Sequence, residues 1–183
     1  GLILPSLHSE LEGPALPNIV NHLAKVPYLS QIVIGLDQAS ELEYKNAVKF
    51  FTNLPQNHQI LWNDGPSLMA IDEELREMKL APQELGKGRN VWYCMGYMLA
   101  LDSVESVGLH DCDISTYDRS LLARLMYPIA NPNFRFQFCK GYYSRIAGKY
   151  LGGRVSRLLV TPLTRSLQHI LGSRSADYLS FID

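Results

Sequence analysis

The sequence predicts an α/β domain built on a mostly parallel central sheet, and three observations predict it. Short apolar runs rich in Ile, Val, Leu or Phe recur at 2–4, 32–36, 59–62, 106–110 and 134–139. Each is bounded by turn residues, as buried strands are. Helical periodicities lie between these runs. No internal repeat, low-complexity stretch or linker interrupts the 183 residues, so one domain over 1–183 is expected.

The chain opens without an initiator Met on an apolar run from Leu2, as though it began inside a first strand. Pro14 is placed to open a helix through Leu23, with Leu16, Ile19, Val20 and Leu23 on one face. After the second strand, Ser40 reads as an N-cap and Glu43 completes a capping box, for a helix through Phe51. The third strand leads to a helix over 69–78, then a mostly apolar helix over 90–101 that precedes the fourth strand. A helix over 117–127 follows, then the fifth strand. The last element is an amphipathic helix over 156–171, which Pro162 must kink unless it occupies the first turn.

With 46% hydrophobic and 19% charged residues, the composition is that of a soluble globular protein. No run is long enough to span a bilayer, and residues 1–5 lack the basic region of a signal peptide. Cys94, Cys112 and Cys139 are odd in number and fit no metal-ligand spacing, which favours a reduced, cytoplasmic setting over a disulfide framework. The net charge of −1 conceals an asymmetry: residues 1–118 carry a net −9 and residues 119–183 a net +8. From Arg119 to Ala176 there is no acidic side chain. Such a segment either meets an anionic partner or packs against the acidic half, within the chain or across a homodimer. The acidic half argues against a nucleic-acid binder.

The sharpest candidate for chemistry is Asp111-Cys112-Asp113 at the end of the fourth strand. In extended chain, residues i and i+2 face the same way, so the two carboxylates converge. Converging carboxylates are costly without a cation between them, and Mg2+ commonly takes one or two carboxylates plus substrate phosphates. The competing reading is a solvated turn after a buried strand. His110 adjoins the pair, but alternation turns it to the opposite face, where a structural role is expected.

Other candidates lie where parallel sheets bind ligands, at strand carboxyl ends. The turn Pro5-Ser6-Leu7-His8-Ser9-Glu10 offers backbone N–H groups to a nucleotide, or is a plain strand–helix connection. Asp37 suits a ribose hydroxyl or a base N–H, or belongs to a capping turn. In Gly86-Lys87-Gly88-Arg89 two glycines admit close backbone approach and the lysine offers a mobile charge for phosphate, unless this is a flexible surface turn. Its spacing is not that of a nucleoside-triphosphate P-loop. Gly152-Gly153-Arg154-Val155-Ser156-Arg157 precedes a helix, where Arg154 can clamp a phosphate or carboxylate, or Ser156 is simply a cap. The five histidines form no i, i+4 metal pair, and no Gly-x-Ser-x-Gly nucleophile motif occurs.

Four pieces fall in a familiar order: Leu4-Pro5-Ser6-Leu7, Gly86-Lys87-Gly88, Asp111-Cys112-Asp113, and Gly152-Gly153-Arg154-Val155-Ser156 with Thr161-Pro162-Leu163 following. Together they resemble the glucosyl-3-phosphoglycerate synthase family. These are retaining glycosyltransferases of the GT-A (Rossmann-like) fold, closely related to mannosyl-3-phosphoglycerate synthases. The resemblance implies a metal-dependent hexosyl transfer from a nucleoside-diphosphate sugar to 3-phosphoglycerate or a similar small anion, with Mg2+ or Mn2+. Pro5, Ser6 and Leu7 would line the base, Asp37 would hold the nucleoside, and Lys87 would contact the donor. Asp111 and Asp113 would bind the ribose-diphosphate and metal, and Gly153, Arg154 and Ser156 the acceptor. Lys87, Asp113 and Arg154 are the residues on which transfer would depend.

Two departures from the family pattern stand out. His8-Ser9 occupies the place of an acidic pair, and the downstream histidine that serves as a third metal ligand has no match. The chain therefore resembles the front part of a longer enzyme. Rival readings are a GT-A transferase with another acceptor, a sugar-nucleotide pyrophosphorylase, and a domain that binds nucleotide sugar without turnover. The second normally carries a long Gly/Arg-rich loop after its first strand, which residues 5–13 do not provide.

Overall fold

A computed structural model describes residues 1–141, 146–147, 150–151 and 156–171. Contacts divide the chain into two compact units, Gly1–Lys140 and Gly141–Asp183.

The first unit is α/β. Strand β1 (Leu2–Leu7) leads through α1 (His8–Leu11) and α2 (Ala15–Leu23) to β2 (Ile32–Asp37). Helix α3 (Glu41–Phe51) connects to β3 (His58–Trp62), and α4 (Pro66–Glu77) and α5 (Lys87–Leu99) precede β4 (Gly108–Leu109) and α6 (Arg119–Ala130). The sheet order is β3-β2-β1-β4 and every pairing is parallel. The fold class expected from the sequence is the one found, consistent with a Rossmann-like GT-A domain. Because the chain winds outward from β1 to β3 and then returns to the other side of β1, a crevice opens at the carboxyl ends of β1 and β4.

The uninterrupted apolar runs are explained by burial on both faces. Leu2, Leu4, Ile32, Ile34 and Leu36 face a core with Leu16, Ile19 and Leu23 of α2 and Phe51 of α3. Ile3 and Val33, one residue out of phase, face Cys94 and Met98 of α5. The α2 face is as the periodicity requires, with Leu16, Ile19, Val20 and Leu23 buried. The α3 capping box is formed: the Ser40 Oγ accepts from the Glu43 N–H at 3.4 Å, and the Ser40 N–H donates to Glu43 Oε2 at 2.7 Å.

Several boundaries differ. Helix α4 starts at Pro66, not residue 69, because Pro at the first helical position is a start signal after the Gly65 N-cap. Helix α5 starts at Lys87, three residues before the expected Asn90. Strand β4 keeps two of the five expected residues, since its pairing with β1 is confined to Leu2↔Gly108 and Ile3↔Leu109. Helix α6 starts at Arg119 behind an Asp118 cap that accepts from the Ser120 N–H at 2.6 Å, while Tyr117 is buried in the core instead.

The strand expected over 134–139 is overturned: the segment is irregular and pairs with no described strand. Its alternation comes from Phe134, Phe136 and Phe138, which are exposed, with Phe134 packing edge-on to Tyr127 at 5.8 Å.

In the second unit, β5 (Ile146–Ala147) and β6 (Tyr150–Leu151) pair antiparallel. A π-helical turn (Ser156–Val160) runs into α7 (Thr161–Leu171). Pro162 thus sits in the first turn of α7, directly after the widened π-helical turn, which is where the helical hydrogen-bond pattern changes. No helix among the described residues is long and apolar enough to cross a membrane.

Candidate functional site

A cavity of about 190 Å³ opens at the carboxyl ends of β1 and β2 and beside the segment after β4. Its walls include Pro5, Ser6, Leu7 and Glu10 from the first strand end, and Asp37 and Gln38 from the second. Lys87 and Asn90 come from the first turn of α5, and Asp111, Cys112 and Asp113 from the segment after β4. Seven residues expected at a donor site (Pro5, Ser6, Leu7, Asp37, Lys87, Asp111 and Asp113) therefore line one space. Gly153 and Arg154 lie outside the described residues, and Ser156 opens the π-helical turn of the second unit. A roomier cleft, about 280 Å³, lies before β2 and β3 at Ala24, Lys25, Val26, Pro27, Pro55 and Gln56. Its one charged side chain is Lys25, so it gathers no comparable chemistry.

Alternation carries on past β4. Gly108, His110 and Cys112 are buried, whereas Asp111 is half-buried and Asp113 exposed. Cys112 is almost wholly enclosed, at 1% exposure. Burial, with the Glu10 charge nearby, pushes its thiol far above the ordinary range, so it is protonated and inert as a nucleophile. The two aspartates are left directed at the cavity. Asp111 forms an ion pair with the Lys87 ammonium, across a gap that both side chains leave partly open to solvent.

Helix α5 places Lys87 through an unusual cap. Gly86 has φ 113° and ψ −162°, a conformation essentially confined to glycine. A side chain at Gly88 would meet nothing within 4 Å, so the first turn of α5 is open to an approaching group. No acidic residue occupies that turn, and its free N–H groups suit an anion. Asn90 anchors the helix below: its Nδ2 donates to the Gly35 carbonyl of β2 at 2.7 Å.

Asp37 is more enclosed than the sequence suggests. Its Oδ1 accepts from Asn63 Nδ2 at 3.2 Å and lies 3.4 Å from Arg89 Nη2, in a pair whose side chains are 5% and 10% exposed. Gln38 follows it with φ 55°, turning the chain out of the strand. The Ala39 N–H is then held by Asp64 at 2.9 Å. Arg89, Asn90, Asn63, Gln38 and Glu10 were not singled out from the sequence. Arg89 had a signal, its place in the Gly-Lys-Gly-Arg turn, and Asn90 had another, a polar residue at the start of an apolar helix. Glu10 accepts from the Leu7 N–H at 2.9 Å and forms part of the cavity wall.

Asp111 and Asp113 offer hard oxygen ligands to Mg2+ or Mn2+, and two carboxylates suffice when substrate phosphates complete the shell. Among the described residues no group of three His, Cys, Asp or Glu side chains gathers to hold an ion alone. The two carboxylates would thus hold such an ion only together with ligands from outside the described residues.

Fold and cavity define a parallel α/β domain consistent with a Rossmann-like GT-A domain, with acidic and basic groups lining one space at the topological switch. Comparison with known proteins narrows this class. No protein-family model matches the chain. It is 43% identical over 182 residues to the glucosyl-3-phosphoglycerate synthase of Persephonella marina, covering 100% of this chain. It is 37% identical over 183 residues to that of Methanococcoides burtonii, covering 98%. The chain is thus a relative of the glucosyl-3-phosphoglycerate synthases, as the motifs imply. It spans 44% of the length of each of these relatives.

Proposed function

We propose that the protein to which this chain belongs transfers a glucosyl (or mannosyl) group, with retention, from a nucleoside-diphosphate sugar to 3-phosphoglycerate or a similar small anion. The observation that carries this reading is the meeting of Asp111, Asp113 and Lys87 in one cavity at the sheet's switch point, in a chain related over its whole length to enzymes of that name. Pro5, Ser6 and Leu7 border the base, and Asp37 accepts hydrogen bonds from the nucleoside. Asp111 and Asp113 hold Mg2+ or Mn2+, which supplies charge stabilisation for the departing diphosphate. Lys87 leaves Asp111 for a phosphate oxygen and adds to that stabilisation, together with the first-turn N–H groups of α5. Gly153, Arg154 and Ser156 orient the acceptor, which gains proximity.

Residues 1–183 act in this reading as a single GT-A-like domain of a longer chain. The opposed charge of its two halves supports a homodimer, and the free cysteines support a reducing, cytoplasmic setting. No nucleic-acid partner is invoked.

The test is calorimetry of the full-length protein with a nucleotide-sugar panel, with and without Mg2+, followed by a release assay with 3-phosphoglycerate. Metal-dependent donor binding and glucosyl transfer, both abolished by Asp113→Ala, support the reading. Pyrophosphate production would assign a pyrophosphorylase instead, and binding without turnover a non-catalytic domain. Near-normal transfer by Asp113→Ala refutes the metal site.

A further inference from the structure

We propose that His110 is a positioning residue for the Asp111–Asp113 turn, acting through a hydrogen bond from its ring to the Asp111 carbonyl. The inference rests on the reading of that turn as the place where the diphosphate and its cation are held. His110 is 5% exposed, and its Nδ1 lies 3.1 Å from the Asp111 carbonyl oxygen. A carbonyl only accepts, so Nδ1 carries the proton and the ring is the neutral tautomer with a bare Nε2. Nε2 is buried without a partner, which suits an acceptor better than an orphaned N–H.

The ring cannot drift. It packs on Tyr117 at 4.8 Å between centroids, and the Tyr117 carbonyl is held by Asn18 of α2 at 3.0 Å. The His110 backbone N–H reaches the Ile3 carbonyl of β1 at 3.4 Å, and Cys112 is buried at 1% exposure. Fixing the Asp111 carbonyl fixes the peptide plane between Asp111 and Cys112. That plane sets the direction of Asp111 relative to Asp113, on a segment that β4 pairing no longer supports. Partners standing behind ligand-bearing groups typically change metal affinity about 10–100-fold when lost.

The test uses the full-length protein, Mn2+ alone titrated by its paramagnetic resonance signal, and amide hydrogen exchange over residues 108–118. His110→Phe keeps a ring but no donor, whereas His110→Asn places an amide N–H where Nδ1 stood. We expect His110→Phe to weaken Mn2+ about 10–100-fold, to speed exchange in that segment alone, and to lower kcat. His110→Asn should recover most of each. Unchanged Mn2+ affinity and exchange in His110→Phe overturns the proposal. So does a His110→Asn variant that falls as far, because the ring would then act by packing alone. If His110→Phe does not fold, His110→Asn decides: near-wild-type Mn2+ binding supports the bond, and its loss at an unchanged melting temperature overturns it. A wild-type protein that binds no Mn2+ sinks the metal reading, and the exchange data then decide His110 by themselves.

Discussion

Gly35 is the position where a single methyl group tests how the sheet carries the site. It lies buried in β2 beneath α5. A Cβ there would stand 1.7 Å from Asn90 Oδ1 and 2.7 Å from Cys94 Sγ. Neither distance can persist, so Gly35→Ala forces Asn90 from its place and breaks its 2.7 Å bond to the Gly35 carbonyl. Overpacking of a well-filled core costs about 1–3 kcal/mol, and stripping a buried amide of its partner about 1–3 kcal/mol more. The sum, about 2–6 kcal/mol, is a large share of a domain's total stability.

Asn90→Ala removes the obstacle along with the bond. The double variant should therefore be less destabilised than the two single effects added, with a coupling of about 1–3 kcal/mol. Urea unfolding of all four proteins, followed by circular dichroism, measures the cycle. Because Lys87 and Asn90 share the first turn of α5, nucleotide-sugar affinity should fall with stability in Gly35→Ala. A Gly35→Ala variant within about 0.5 kcal/mol of wild type, as an ordinary surface change would be, refutes the packing argument.

Three further outcomes are expected. Gly86→Ala should lose about 1–3 kcal/mol, because φ 113° with ψ −162° excludes side chains. Gly88→Ala, whose methyl meets open space, should gain up to about 1 kcal/mol of helix propensity yet weaken donor binding. Equal urea midpoints for the two would sink this account of the α5 cap. Lys87→Met should raise Mn2+ affinity without nucleotide by up to about fivefold, the worth of an exposed ion pair, while weakening nucleoside-diphosphate binding; weaker Mn2+ binding would contradict it. Tyr93→Phe removes a hydrogen bond to Asp72. Burial alone would raise the Asp72 pKa, but the bonds from Tyr93 and Arg76 and the nearby arginine charges outweigh it and hold the group below its ordinary 3.8. A carboxyl depressed in the folded state contributes fully above its unfolded pKa and less as pH falls through the folded value. Tyr93→Phe should therefore cost about 1–2 kcal/mol at neutral pH. That gap should close below the ordinary 3.8; a gap independent of pH would mean the hydroxyl acts by packing.

The sheet was legible because strands buried on both faces leave uninterrupted apolar runs, as β1 and β2 do. The α3 start was legible because a capping box is local chemistry, settled within four residues. Residues 134–139 misled for the opposite reason. Alternating Phe is a strand signal only where a neighbouring strand exists to pair with, and no pairing was visible in the sequence. The cavity's chain of strand ends could be foreseen, since topology places them together. That Arg89 and Asn63 meet Asp37 could not, although Arg89 stood in a marked turn, because which polar groups converge on Asp37 depends on how α5 and the β3 end pack around it.

The three aspartates of the cavity are not equivalent, and their differences bear on how a donor would lie. Asp37 is buried and already neutralised by Arg89, with Asn63 on the same oxygen. A cation gains little there, since the attraction is spent on a fixed guanidinium and bringing an ion to a buried site costs solvation. Neutral hydroxyl or N–H donors can still use its second oxygen. Among the described residues, Asp111 is half-exposed and paired with the half-exposed Lys87 ammonium, and Asp113 is exposed with no ion pair. Those two retain their attraction for a cation at the mouth of the cavity, beside the first turn of α5. Under the proposed donor role, the gradient from enclosed and neutralised to open and acidic would favour one orientation, with the nucleoside toward Asp37 and the diphosphate toward Asp111, Asp113 and Lys87.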